Sequence, residues 1–324
     1  HGGTLNECML SGNQAFTGGG AAGGTLNQCV LSGNSAIKGG GTQDAALNEC
    51  ALTGNTAVES GGGTYGGALN DCTLTGNTSG EFGGGAHGAT LNRCTLIGNT
   101  SPLGGGACFG TLNRCRLSGN SANLGGGAYE SSLNNCLLST NSANLGGGCR
   151  GGLLNNCTVA GNTASNYGGG AQLGTFNNCI VYANTAPDGA NYTNSAFTNS
   201  CTTPDPGGTG NIADDPLFAD AAAGDYRLQT NSPCLDAGDN AFVQGATDLD
   251  GNPRILNGVV DMGAYEIQLY TGYRAWAAAI TNGLTNATDC AAGDGVPNLL
   301  KYATGGSATE PDGLAWLNWV AGAP

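Results

Sequence analysis

Charge is scarce in this sequence. Only 10 % of its 324 residues are charged, and lysine is found at Lys38 and Lys301 alone. The net charge is -14. Residues 1–200 carry Lys38, Arg93, Arg114, Arg116 and Arg150, and most of the negative charge falls in 201–324. No basic patch exists for nucleic acid or an anionic membrane surface, and a polyanionic substrate such as pectate would meet few cations. No apolar run reaches the ~18 residues of a membrane-spanning helix. The histidines, His1 and His87, have no evident partner. Nucleophile motifs, phosphate loops and dinucleotide fingerprints are missing. No charged-then-apolar leader precedes His1, so a signal peptide or longer N-terminal region is expected to lie outside this numbering.

What is abundant is glycine, at 61 residues. Without periodicity such a chain would read as disordered. Periodicity rescues it, because stacked units can share one core. Cysteine recurs at Cys8, Cys29, Cys50, Cys72, Cys94, Cys115, Cys136, Cys157 and Cys179, in steps of 21 or 22 residues. Five residues after each comes Asn13, Asn34, Asn55, Asn77, Asn99, Asn120, Asn141, Asn162 or Asn184. A glycine triplet closes most units, from Gly18-Gly19-Gly20 to Gly168-Gly169-Gly170.

That period suits leucine-rich repeats or a β-helix. The return segment is glycine-rich and poor in helix formers, which favours the β-helix. We expect about nine coils of three short strands each. Cys115 and Leu117 would point inward and Arg116 outward by the period of two. Leu112 and Cys115 have opposite parity, which requires a bend near Asn113. Equivalent residues would lie about 4.8 Å apart, so the Asn column can form an amide ladder at a corner whose left-handed backbone Asn tolerates. Stacked Cys side chains at that spacing are too far apart for disulfides and read as free buried thiols. Cys108 and Cys149 are read at one step of their repeats, two turns apart.

The repeat resembles the right-handed parallel β-helix family, close to the polymorphic outer-membrane-protein type, on the strength of Gly126-Gly127-Ala128 and the Asn120 column. The resemblance covers about residues 1–190. It implies an all-β solenoid and leaves function open, since such folds serve adhesins, stalks and polysaccharide lyases. After Asn184 the period fails. Asn211-Ile212-Ala213-Asp214-Asp215-Pro216, Ser232-Pro233-Cys234 and Val260-Asp261-Met262-Gly263-Ala264-Tyr265-Glu266 resemble a choice-of-anchor C-terminal module of bacterial surface proteins. That resemblance implies a cap over the last coil and a secreted protein. The expected domains are a β-helix over 1–200, a capping module over 201–267 and a small, partly helical appendage over 268–324. Helices are expected over 273–283 and 294–303. The appendage holds all three Trp and ends in an apolar run with Leu314, Trp316, Leu317, Trp319 and Val320.

Few residues suggest chemistry. Asp248, Asp250 and Asn252 have the alternate spacing of a Ca²⁺ loop, so a structural Ca²⁺ is the candidate cofactor beside a plain Asp-held turn. Cys201 and Cys234 lie outside the Cys column and form a disulfide candidate in an oxidising compartment. The position before each Cys reads Glu7, Gln28, Glu49, Asp71, Arg93, Arg114, then Asn135, Asn156 and Asn178. Glu49 and Asp71 would stack as neighbours, the one place for a carboxylate pair of a polysaccharide lyase or hydrolase. The blander reading pairs Asp71 with Arg93 across strands. A glycan-binding adhesin would need an aromatic platform on one wall. The outward columns offer few stacked aromatics, Tyr182 among them.

The sequence thus points to a non-catalytic, secreted or cell-surface structural protein. Head-to-tail homopolymerisation is expected, with a strand-like run at Leu314 to Val320 pairing onto a first coil that begins in register at Leu5 and Cys8. Extracellular glycans are the other expected partner. Enzymatic cleavage of a polysaccharide is the alternative.

Overall fold

The computed structural model describes residues 2–268. The two expected helices, Cys290 and the run from Leu314 to Val320 lie outside the described residues.

The repeat winds into a parallel β-helix of about nine coils. Each coil contributes to four walls rather than the expected three. In one central coil these are Thr111–Asn113 (wall 1), Arg116–Ser118 (wall 2), Ser121–Leu124 (wall 3) and Ala128–Tyr129 (wall 4). The walls are parallel sheets of ten, ten, seven and nine strands. Register is strict along the axis. Leu91, Leu112 and Leu133 stack in wall 1, and Leu96, Leu117 and Leu138 in wall 2. The extra wall arises at the bend expected near Asn113. Arg114 adopts φ 56° there and turns the chain through a full corner, which makes Thr111–Asn113 a sheet of its own.

Three inward columns fill the narrow core. The two Leu columns and the Cys between them are almost wholly buried. Each thiol joins two coils. Cys115 Sγ accepts from the Cys94 backbone N–H at 3.4 Å and faces the Leu91 carbonyl at 3.5 Å. Buried polar backbone is thereby satisfied by a side chain small enough for the lumen. All thirteen cysteines among the described residues are free thiols.

The Asn column runs beside them. Asn120 donates from Nδ2 to Leu96 O and to Asn141 Oδ1, both at 2.9 Å. Its Oδ1 accepts from the N–H and the Nδ2 of Asn99. The left-handed backbone of this corner is carried by the preceding residue, as at Gly119 (φ 64°), Thr140 (φ 55°) and Ala183 (φ 57°). The expected amide ladder is thus present and Asn is selected for its buried amide, while the left-handed conformation it was also expected to carry falls to the preceding residue. A second amide ladder follows the outer rim of wall 1, with Asn113 Nδ2 donating to Asn92 Oδ1 and Asn134 Nδ2 to Asn113 Oδ1, both at 3.0 Å. It runs against the direction of the inner one.

The glycine triplets bring wall 3 into wall 4. A Cβ on Gly126 would fall inside contact distance of the carbonyls of Gly147 and Ser142 in the next coil. Only a hydrogen fits between stacked backbones there. One residue further, Cys149 pairs with Ala128 and points inward, whereas Cys108 pairs with Tyr129. The two cysteines thus occupy different steps of the repeat, contrary to the sequence expectation.

The winding does not stop at Asn184. Walls 1, 2 and 4 each gain one more strand, at Ala196–Thr198, Cys201–Thr202 and Tyr192–Thr193. Ser200 stands where Cys is expected, accepting from Cys179 N–H at 3.0 Å. The inner Asn column and the Cys column then each end on an asparagine side chain. Asn191 Oδ1 accepts from Asn184 N–H at 3.1 Å, and Asn211 Oδ1 from Ser200 N–H at 2.9 Å.

The rest of the expected cap lies elsewhere. Residues 203–213 do close the last coil, since Asn211 and Thr203 meet its terminal groups. The chain from 217 to 268 instead folds back along the outer face of wall 2. It carries the antiparallel pair Phe218–Asp220 and Asp225–Leu228. Tyr226, Leu249, Ala264 and Tyr265 pack on Leu137 and Ala160, and Leu228, Leu235 and Met262 on Ile180 and Cys201. The outward column of wall 2 anticipates this cover. It is exposed at Met9 (75 %) and Val30 (38 %) and turns to buried apolar residues at Leu137 and Ile180.

Candidate functional site

The corner before each Cys is the first candidate. All nine residues there adopt φ between 51° and 56° and line one edge between walls 1 and 2. Non-glycine residues in this region carry about 1–3 kcal/mol of backbone strain each, borne by the stacking around them. Seven of the nine side chains are spent on one another or on the C-terminal module; Glu7 makes no such bond, and Arg114 Nε is buried without a partner. Gln28 Nε2 donates to Glu49 Oε2 at 2.9 Å. Arg93 binds Asp71 in bidentate fashion, with Nε to Oδ1 at 2.7 Å. The Arg93 guanidinium holds the Asp71 carboxyl below the usual carboxylate range. A carboxyl held ionised beside an arginine is not a general acid. Asn135, Asn156 and Asn178 donate to the backbone carbonyls of Gln244, Phe242 and Asp239 and so fix the module to the flank.

Asp248, Asp250 and Asn252 do come together, as a turn. Asp248 Oδ1 accepts from the N–H groups of Asp250 (3.0 Å) and Asn252 (2.8 Å), and its Oδ2 from Glu266 N–H (2.9 Å). Asp250 bridges Arg116 (2.9 Å) and Arg227 (2.7 Å). These carboxylates accept from protein donors in the arrangement of an Asx-held turn. Among the described residues no three His, Cys, Asp or Glu side chains converge as a metal site. Below the turn, the fully buried Arg254 pairs with Glu266 at 3.1 Å and donates to the carbonyls of Asp261 and Gly263. Arg254 also reaches Asn156 on the solenoid, which makes it the polar keystone of the docked module.

Cys201 and Cys234 are brought into one buried cluster as free thiols. Their hydrogen bond, together with burial, raises the Cys201 thiol far above its usual range. Of the expected assembly residues, Leu5 (37 % exposed) and Cys8 lie on the first described coil, whose strands pair with those of the second.

The feature that sequence reasoning missed is on wall 4. Its outward column runs Tyr65, His87, Cys108, Tyr129 and Arg150. Tyr65 and His87 stack with centroids 5.0 Å apart. Phe109, one residue past Cys108, stands edge-on to His87 (5.8 Å) and Tyr129 (5.7 Å), and Phe82 joins from the end of wall 3. Lys38 lies over Tyr65 and Arg150 over Tyr129. An aromatic platform of the kind an adhesin needs is therefore present, contrary to the reading of few stacked aromatics. Its signal is the second residue after each glycine triplet, and it becomes legible once wall 4 is recognised as a two-residue strand.

No family model matches this chain, and no curated protein does. Among solved structures it is similar to the pectate lyase Pel9A, with 13 % identity and a TM-score of 0.45 over 76 % of this chain and 73 % of that one. More distant are QnrB1, a plasmid-mediated fluoroquinolone resistance protein (11 %, TM-score 0.20, covering 61 % and 83 %), and HetL, a pentapeptide repeat protein of Nostoc sp. strain PCC 7120 (16 %, TM-score 0.18, covering 61 % and 86 %). The solenoid itself follows from the four sheets and their registers, and this chain is an all-β, parallel β-helix repeat protein.

Proposed function

We propose that this chain is a non-catalytic structural protein of a bacterial exterior, a stalk or a subunit of a head-to-tail filament. The observation that carries the reading is the corner column. Most of this row of stacked polar and charged residues is taken up by Gln28–Glu49 and Asp71–Arg93 pairing, and its upper part by docking of the C-terminal module. The fixed inward positions are likewise used by coil-to-coil bonding. Growth by self-association is the finer part of the proposal. The choice-of-anchor resemblance of residues 205–266 supports secretion.

Negative-stain microscopy of the mature protein tests this. Rods or fibres are expected, with fibres lost on deletion of residues 313–320. Monodisperse particles under all conditions would overturn the filament. Release of unsaturated or reducing ends from a polysaccharide, abolished by Asp71→Ala, would overturn the non-catalytic reading and establish the alternative.

A further inference from the structure

The edge where wall 3 passes into wall 4 carries more apolar surface than stacking requires. Outward side chains there form two neighbouring columns. One is Phe82, Leu103, Leu124 and Leu145, in register along the end of wall 3. The other is Tyr65, His87 and Tyr129 on wall 4, with the Phe109 ring set beside the small Cys108 between them. The turn at the first glycine of each triplet sets them side by side: a Cβ on Gly125 would lie 3.2 Å from Tyr129 Cα. Phe109 is the centre of the strip. Cys108 is the small member of its column and is fully buried. Phe109 is one residue on, with φ 54°, and contacts the rings one coil to either side of Cys108. It is perpendicular to both rings, at 82° and 85°, and remains 50 % exposed. The left-handed backbone of Phe109 belongs to the corner that follows wall 4 in each coil, shared with Asp44, Glu130, Leu173 and Asn194, but a half-exposed aromatic ring there is apolar area that the packing of the core does not need.

We propose that this edge binds a neutral glycan laid along the solenoid axis, with Phe109 as its central stacking ring. Sugar rings combine apolar C–H faces with hydroxyls at their rims, and the edge offers matching groups. Aromatic and leucine side chains supply the apolar surface. Planar hydrogen-bonding groups stand at the two ends of the wall 4 column, Gln43 before Tyr65 and Arg150 and Gln172 after Tyr129, with Arg150 Nε held to Gln172 Oε1 at 2.8 Å. His87 Nδ1 is buried without a partner, and burial together with nearby Lys38 lowers the pKa of this imidazole. Charge selects the class of sugar. Asp44, Glu59, Glu81 and Glu130 surround the strip, against Lys38 and Arg150, and Lys38 is already paired with Glu59 at 3.6 Å. A uronate chain would meet net repulsion, whereas a neutral chain would not. The coil spacing of about 4.8 Å is comparable to the length of one hexose unit, so a linear chain can repeat its contacts from coil to coil. This inference does not depend on the stalk or filament reading.

Affinity electrophoresis of the full chain through gels holding hydroxyethylcellulose, laminarin, galactomannan or polygalacturonate tests the proposal. At least one neutral polysaccharide should retard the protein, and polygalacturonate should not. Phe109→Ala should weaken that retardation about tenfold with an unchanged thermal melt. Phe109→Leu, which keeps an apolar cover over Cys108, should lose binding as well. Retardation by none of the neutral polymers, preferential retardation by polygalacturonate, or full retention of binding in Phe109→Leu would overturn it.

Discussion

Replacing Asn120 with alanine removes one rung of the inner amide ladder, and the structure says what is left behind. Asn99 loses the acceptor of both its backbone N–H and its Nδ2, and the Leu96 carbonyl loses its side-chain donor. All three groups lie in the dry interior, where Asn99 and Leu96 are fully buried. Asn99 Nδ2 keeps its bond to Leu74 O, so the Asn99 N–H and the Leu96 carbonyl set the cost: at about 1–3 kcal/mol for each it is about 2–6 kcal/mol, falling to the low end if water enters the gap. Asn113→Ala is the matched control. It removes a rung of the outer ladder, bonded to Asn92 and Asn134, at a half-buried position where solvent replaces the lost partners. Its cost should be about 0.5–1.5 kcal/mol. Urea unfolding followed by far-UV circular dichroism compares the two, with limited proteolysis between coils reporting local opening, since a solenoid need not unfold in one step. Equal destabilisation by the two substitutions would refute the assignment of the inner ladder as the principal polar support.

Other substitutions probe the remaining columns. Gly126→Ala drives a Cβ into the Gly147 and Ser142 carbonyls and should cost several kcal/mol, whereas Gly119→Ala meets nothing closer than Gly98 N at 3.9 Å and should cost about 1 kcal/mol from its left-handed backbone alone; thermal melts separate them. Cys115→Ser should be milder than Cys115→Ala, because Ser200 already fills this column and accepts from Cys179 N–H, while alanine leaves Cys94 N–H unpaired; chemical denaturation ranks the pair. Burial pushes the Cys149 thiol up to about 12 from its ordinary 9. The folded state therefore favours the protonated thiol, so its contribution is whole below pH 9 and is lost between pH 9 and 12, at about 1.4 kcal/mol per pH unit. Cys149→Ala, which fits a column already holding Ala128 and Ala171, should flatten the decline of Tm with alkaline pH.

Much of the fold was legible because stacking repeats each constraint in every coil. Nine Cys and nine Asn in one register announce inward columns, and their spacing sets the coil length. The number of walls was not legible. Arg114 and its equivalents are polar residues of many kinds, and nothing in Glu, Asp or Arg signals the left-handed corner that Asn135 or Asn178 suggests. The last coil was hidden by Ser200 in place of Cys. The module at 217–268 was expected on the end of the stack because it follows the repeats in sequence. Its place on the flank is encoded instead in outward Leu137 and Ile180, which read as ordinary wall residues until the cover is seen. The aromatic edge was missed for a related reason. Tyr65, His87 and Tyr129 align only when counted from the glycine triplets, and Phe109 belongs to the next column altogether.

The most direct test of the account is residue-resolved amide hydrogen exchange. The backbone N–H groups of Cys94, Asn99, Cys115 and Asn120, each bonded to a side chain of the following coil, should be among the slowest in the molecule, as slow as the flanking strand amides of walls 1 and 2. Exchange at these four sites as fast as at the exposed amides of Met9 and Ser11 would contradict the claim that the cysteine and asparagine columns hold the coils together.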